Sequence, residues 1–252
     1  MIQLYEVTKR FGSFQAVDHV TLTIEPGQIF GLLGANGAGK TTLIRMMCGI
    51  LPPTSGSGQV LQYDLTKESA KIRQNIGYMS QKFSLYPDLT VKENLRFYAR
   101  LYGVAQVNQR LEESLERYRL VEVAEKQVNQ LGSGIRQRVA FATSTVHEPS
   151  LLFLDEPTSG VDPLTRQLFW EECYALTELG TTIVITTHYM DEAERCDQVA
   201  LMNRGQIVAI GEVDALKEEF APLLAIEDPT LDDIFVYVMS QGGTNGGQEE
   251  LG

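Results

Sequence analysis

The sequence predicts an α/β protein built on a mainly parallel sheet, with an N-terminal antiparallel β subdomain and a helical insertion. Three observations lead there. Apolar runs that read as buried strands, Ile29-Phe30-Gly31-Leu32-Leu33, Leu151-Leu152-Phe153-Leu154 and Thr182-Ile183-Val184-Ile185-Thr186-Thr187, are each followed by a helical pattern. Ahead of them, Ile2–Phe11 and residues 20–24 carry the partial alternation of half-exposed strands. Between about residues 89 and 147 the strand signals give way to helices.

In residues 20–24, Val20, Leu22 and Ile24 alternate with Thr21 and Thr23, so one face is set to be buried and the other wet. Glu25-Pro26-Gly27 is a turn signal before the first buried strand. A helix is expected over 42–48. Leu51-Pro52-Pro53-Thr54-Ser55-Gly56-Ser57-Gly58 breaks it, and a short strand is expected at 59–61. Residues 76–79 read as a core strand ending at Ser80-Gln81. Leu89-Thr90-Val91-Lys92-Glu93 has the form of a helix start, with Thr90 as cap and Glu93 three residues on. Leu95, Tyr98, Leu101 and Tyr102 continue at helical spacing, and further helices are expected at 107–118 and 134–147.

After Glu148-Pro149 the chain returns to alternation. Strands are expected at 151–154 and Thr182–Thr187, and helices at 164–179 and 190–196. Two more strands, 199–202 and 207–210, can pair across Asn203-Arg204-Gly205. One domain over 1–241 is expected, with a helical part of about 88–148 inserted in its core. The glycine-rich, polar stretch 242–252 is expected to be disordered.

A chain of 252 residues can form one large domain or two small ones with a sizeable core. The net charge of −12 argues against broad nucleic-acid binding, because phosphate backbones would be repelled. Cys48, Cys173 and Cys196 are isolated and odd in number, with neither a disulfide frame nor zinc spacing, and read as free thiols in a reducing compartment. No signal segment opens the chain and no apolar run approaches membrane-spanning length. The expectation is a cytosolic protein; any work at a membrane would be done by holding a partner.

Gly34-Ala35-Asn36-Gly37-Ala38-Gly39-Lys40-Thr41 fits the phosphate-binding pattern G-x-x-x-x-G-K-[ST], set between an apolar strand and a helix that Thr42 opens. The glycines let backbone N–H groups turn toward phosphate oxygens, and the helix adds the positive end of its dipole. Lys40 would reach the terminal phosphates and Thr41 would take a place on magnesium. A plain glycine-rich turn is the alternative, and the strand–loop–helix setting favours a nucleotide site. Asp155 and Glu156 end the apolar run that begins at Leu151. Asp155 would hold Mg²⁺ and Glu156 would orient or deprotonate a water attacking the γ-phosphate. Taken alone, such acids are more often helix caps. His188 ends another strand and could donate to the γ-phosphate or the water. Gln81 follows a strand and could touch Mg²⁺ or the same water.

With these residues in place the chain resembles the nucleotide-binding subunit of ATP-binding-cassette (ABC) transporters, over essentially residues 2–239. The resemblance rests on the phosphate loop, Tyr78-Met79-Ser80-Gln81, Asp155-Glu156-Pro157-Thr158-Ser159-Gly160-Val161-Asp162 and Thr187-His188. It is most similar to the exporting branch with separate ATPase and membrane subunits, which Phe11-Gly12 and Pro229-Thr230-Leu231-Asp232-Asp233-Ile234-Phe235 also match. The resemblance implies a P-loop ATPase core, ATP and Mg²⁺ as ligands, and a head-to-tail pairing with a second cassette. It also implies an integral-membrane partner and a place on the cytoplasmic face of a membrane. Phe11 sits where the family stacks an aromatic on adenine, and Asp162 where it communicates across the dimer. The patch Lys82-Phe83-Ser84-Leu85-Tyr86 is a candidate receiving surface for the membrane subunit, or ordinary core. The rival readings are a low-activity, regulatory cassette and a soluble cassette of DNA repair or translation, which the acidity and the lack of a long coiled-coil insert disfavour; the chain is either a whole subunit or one half of a tandem protein.

One stretch departs from the family. The signature, Leu-Ser-Gly-Gly-Gln or a close variant, corresponds here to Leu131-Gly132-Ser133-Gly134-Ile135-Arg136-Gln137-Arg138, with serine and glycine exchanged. Gly132, Ser133 and Gly134 are the residues expected to cap the nucleotide held by the other cassette. The N–H groups and helix dipole remain, but the hydroxyl is displaced by one residue.

Overall fold

The computed structural model describes residues 1–81 and 84–241. The expected tail at 242–252 and the Lys82-Phe83 part of the candidate patch lie outside the described residues. Strands β1 (Ile2–Phe11) and β2 (Phe14–Ile24) form an antiparallel hairpin with register from Ile2 opposite Ile24 to Phe11 opposite Phe14. Val20, Leu22 and Ile24 are buried while Thr21 and Thr23 are exposed, as the alternation requires. β3 (Ile29–Leu33) is buried at every residue and runs through the phosphate loop into α1 (Lys40–Met47). The helix begins two residues earlier than expected, because Gly39 itself supplies the left-handed cap.

β4 (Ser55–Val60) starts inside the stretch read as a break. Its turn-like letters are a packing requirement: at Gly56, with φ +88°, an added Cβ would lie 2.4 Å from the Glu6 carbonyl oxygen of β1. β5 (Tyr63–Asp64) completes a four-stranded antiparallel sheet ordered β2-β1-β4-β5. A short α2 (Ser69–Asn75), to which the sequence reading assigned nothing, buries only Ile72 and leads into β6 (Ile76–Met79).

Helices then occupy the chain: α3 (Val91–Leu101), α4 (Val107–Arg117) and α5 (Ser133–Thr145). The start of α3 is a reciprocal capping box, Glu93 N–H to Thr90 Oγ1 at 3.1 Å and Thr90 N–H to Glu93 Oε2 at 2.8 Å. Beyond it come β7 (Leu151–Asp155), α6 (Pro163–Glu178), β8 (Thr182–Thr187), α7 (Met190–Ala193), β9 (Gln198–Asn203) and β10 (Gln206–Gly211). α7 ends three residues short of the expected helix, where the chain turns into β9. α8 (Val213–Leu224) and α9 (Leu231–Gln241) close the described chain. The first of these was readable from the helical spacing of buried Val213, Leu216 and Phe220.

The second sheet is ordered β10-β9-β3-β8-β7-β6 and is parallel except for the edge strand β10. Both of its faces are covered, which is why its central strands read as continuous apolar runs. Ile29, Leu33, Leu152, Leu154, Ile183 and Ile185 pack toward the helical layer, which adds Phe141, Phe169 and Trp170. Phe30, Leu32, Leu151, Phe153 and Val184 pack toward α1 and the antiparallel sheet. In register, Leu33 lies beside Thr187 and Asp155 beside Thr186, so three strand ends open on one edge of the sheet.

Candidate active site

At that edge the loop after β3 is shaped by contact with its neighbours. Gly39 has φ +109°, and an added Cβ would lie 2.3 Å from the Ala16 carbonyl oxygen of β2. Only glycine fits, and the contact also ties the β1–β2 hairpin to the loop. Phe11 lies at the tip of that hairpin, opposite Phe14; its ring is half exposed, with Lys9 Nζ 5.4 Å from its centroid. Gly34, Ala35, Asn36, Gly37 and Ala38 complete the loop, and Lys40, Thr41 and Thr42 form the first turn of α1.

Lys40 is nearly buried. Its ammonium donates to the carbonyls of Gly34 at 2.7 Å and Ala35 at 3.2 Å, and lies 3.8 Å from Glu156 Oε1. Burial pulls its pKa below the ordinary lysine range, and the carboxylates of Glu156 and Asp155 offset part of that. Thr41 Oγ1 donates to Asp155 Oδ1 at 3.1 Å, and Thr186 Oγ1 donates to the same oxygen at 2.8 Å. Burial raises the Asp155 pKa above the ordinary carboxylate value, while the two hydroxyls work against that rise.

Glu156 departs from β7 with φ +49°, a left-handed conformation that costs a non-glycine residue of order 1 kcal/mol. Its N–H is taken by Thr186, through the carbonyl at 3.2 Å and the hydroxyl at 2.9 Å. The turn aims the carboxylate across the sheet edge. Oε2 accepts from Gln81 Nε2 at 2.9 Å and lies 3.6 Å from His188 Nδ1. Gln81, Glu156, His188 and Lys40 therefore meet, while Thr41 and Asp155 form the neighbouring pair. Gln81, expected on magnesium or water, bonds to Glu156.

Gly132 is the N-cap of α5, with φ −67° and ψ 162°, and no side chain caps that helix. Ser133 and Gly134 form its first turn; Gly134 packs on α6, where an added Cβ would meet Thr165 Oγ1 at 3.1 Å. Among the described residues no hydrogen bond joins this segment to the phosphate loop. Asp162, two residues after Gly160, caps α6 through Thr165 N–H at 3.0 Å and Thr165 Oγ1 at 2.6 Å, with Pro163 at the first helical position. No helix of the described residues is long and apolar enough to cross a membrane. A cleft of about 590 Å³ beside α4 is separate from this site, and its Arg110 and Arg117 are already paired with Glu148 and Glu172.

The pattern described as ABC transporter matches residues 17–159, more than half of the chain. The chain belongs to the ABC transporter family. The cassette is 49% identical over 242 residues to the probable multidrug ABC transporter ATP-binding protein YbhF of Escherichia coli (strain K12), covering 95% of this chain and 42% of that protein. It thus spans about two-fifths of the length of that relative. It is 36% identical over 261 residues to the Nod factor export ATP-binding protein I of Cupriavidus metallidurans, covering 94% of this chain and 86% of that one. A solved ATP-binding subunit of an ABC transporter superposes with TM-score 0.86 at 27% identity, over 95% of this chain and 99% of the other. The cassette MJ0796, in a dimeric post-hydrolysis state bound to ADP and Pi, superposes with TM-score 0.78 at 27% identity, over 84% of this chain and 98% of the other. The cassette is thus an ABC nucleotide-binding domain closely related to export-type members.

Two contacts in the cassette were not anticipated from sequence. Thr186 reads as one more β-branched strand residue, yet its hydroxyl serves both Asp155 and the Glu156 amide. Gln137, buried in α5, donates its amide to the Pro157 carbonyl and so ties the signature helix to the turn after Glu156. Gln137 shares its helix with the buried polar Thr143, Ser144 and Thr145, so no sequence signal singled it out.

Proposed function

We propose that this cassette binds ATP with Mg²⁺ and hydrolyses its γ-phosphate, and that closure of two such cassettes powers an exporter. One observation carries the reading most: Lys40, the Thr41–Asp155 pair and the Gln81–Glu156–His188 cluster converge at one end of the parallel sheet. The donor set suits magnesium, since a hydroxyl and a carboxylate are hard oxygen ligands that leave other positions to phosphate oxygens and water. No cluster of three or more His, Cys, Asp or Glu among the described residues would hold a metal unaided, which fits an ion that arrives with its nucleotide. Bound there, magnesium would neutralise charge on the β- and γ-phosphates during transfer.

In this reading the amides of residues 34–39, with Lys40 and Thr42, hold the phosphates, and Phe11 stacks on the base. Glu156 takes the proton of the attacking water, with Gln81 and His188 orienting it. Gly132, Ser133 and Gly134 close over the γ-phosphate bound by a second cassette. Residues 1–241 would act as one unit, with the helical part at 88–148 carrying this segment. The relatives, a probable multidrug ABC transporter ATP-binding protein and a Nod factor export ATP-binding protein, support an export role. A membrane-spanning partner would select the cargo, with the cassette peripheral on the cytoplasmic face. Part of the receiving surface would be Tyr86, exposed and edge-on to Phe97 with centroids 4.7 Å apart. Nucleic acid has no part in this reading.

A second reading, a low-turnover or regulatory cassette, is favoured by the Gly132–Ser133 exchange. Steady-state phosphate release with Mg-ATP separates the two. Turnover that vanishes in Glu156→Gln supports the first; binding with no turnover above that variant supports the second.

A further inference from the structure

One buried carboxylate beside the site has no part in the chemistry above. Glu192, in α7, is 1% exposed and divides its two oxygens between the turn after β7 and the end of β8, where the His188 loop begins. Oε1 accepts from the Thr158 hydroxyl, and Oε2 accepts from the Thr187 hydroxyl at 2.7 Å. Thr158 lies two residues after Glu156, in the turn that ends at Asp162; Thr187 immediately precedes His188. Both threonines are as deeply buried as Glu192. Thr187 Oγ1 also accepts from the Tyr189 N–H at 3.0 Å, so its own proton is committed to Glu192. Arg166 of α6 supplies the countercharge, with Nε 3.4 Å from Glu192 Oε1, Nη1 3.2 Å from Asp191 Oδ2, and its guanidinium 4.8 Å from the Tyr189 ring centroid.

We propose that Glu192 is a positioning residue that locks the Glu156–Asp162 turn to the His188 loop, so that the two respond as one unit. The inference rests on the ATPase reading above for its catalytic consequence, though not for its geometry. Stability alone does not account for a carboxylate here, since apolar replacements of buried ion pairs are often neutral or stabilising. What the carboxylate provides is two acceptor oxygens at once, one for each loop. The need is local: Glu156 is held in a left-handed conformation, which persists only where its surroundings over-determine it.

The test uses the full chain. Glu192→Gln keeps the size but leaves one acceptor oxygen and puts a donor in place of the other, so one hydroxyl loses its acceptor. kcat for ATP should fall about tenfold while KM stays within about twofold. Thr158→Val and Thr187→Val should lower kcat likewise, and the serine variants, which retain the hydroxyl, should restore it. Thr158→Val added to Glu192→Gln should cost no further rate. Backbone hydrogen exchange supplies a readout that needs no turnover: Thr158→Val should speed exchange at residues 187–190, and Thr187→Val at residues 156–162. Exchange confined to the substituted loop, or full kcat in Glu192→Gln, overturns the inference. If the parent chain proves unable to hydrolyse ATP, the functional reading fails by itself, and reciprocal exchange still decides for or against Glu192.

Discussion

Lys40 Nζ and Glu156 Oε1 lie 3.8 Å apart, with side chains 5% and 10% exposed. The phosphate-loop cation and the proposed catalytic base thus face each other, and Glu156 reaches Gln81 with its other oxygen. Glu156→Gln keeps the shape and removes the base. ATP turnover should fall about a hundredfold or more. The variant should also accumulate as an ATP-bound dimer, seen by size-exclusion chromatography with Mg-ATP. Monomer alone, with parental hydrolysis, would reject the role of Glu156.

The exchanged signature can be reversed. Gly132 has ordinary backbone angles and open space where a Cβ would go, so serine fits at the N-cap of α5. The double change Gly132→Ser with Ser133→Gly should raise the ATPase rate, by up to about tenfold if one charge-assisted hydrogen bond is regained. An unchanged or lower rate shows that the exchange is no defect.

Asp155 carries a cost in stability. Its pKa is raised in the folded protein above the ordinary 3.8, chiefly by burial. The native state therefore holds the proton more tightly than the unfolded chain does. Its favourable contribution is complete below the unfolded value and is lost as pH rises through the raised one. Asp155→Asn, which still accepts from Thr41 and Thr186, should melt higher at neutral pH, by ~3 °C for each kcal/mol recovered. The gain should shrink as pH is lowered. A lower melting temperature at pH 7 would contradict this.

His147 predicts the opposite slope. Burial lowers its pKa from the ordinary 6.5 to about 4, with the ring stacked on Tyr102 at 3.7 Å and Nε2 3.1 Å from the Ile76 carbonyl. Between those values the unfolded chain binds the proton and the native one does not. Stability should fall as pH drops from 6.5 to about 4, by at most about 1.4 kcal/mol per unit. His147→Phe keeps the stack and removes the titration, so its melting temperature should fall less over the same interval. Parallel curves for the two proteins would refute the assignment.

Local patterns reported much of this molecule because local physics made them. The continuous apolar runs of β3, β7 and β8 follow from burial on both faces, and the capping box at Thr90 and Glu93 satisfies helix N–H groups within one turn. β4 was misjudged because glycine signals a turn and close backbone approach alike, and only its β1 neighbour tells them apart. Thr186 and Glu192 were passed over because Asp155 lies 31 residues from the one and Thr158 34 from the other, so no short window shows the link between the turn after β7 and the end of β8.

By itself the sequence determined that a phosphate loop follows a buried strand, that two acids end another, and that an altered signature opens a helix. Those are statements about neighbours along the chain, where spacing and residue chemistry suffice. Tertiary structure alone decided that Gln81, Glu156, His188 and Lys40 share one edge, and that Glu192 joins two loops behind them. The physical reason is the parallel sheet: its register aligns the ends of β3, β7 and β8, and side chains distant in sequence meet where those strands stop.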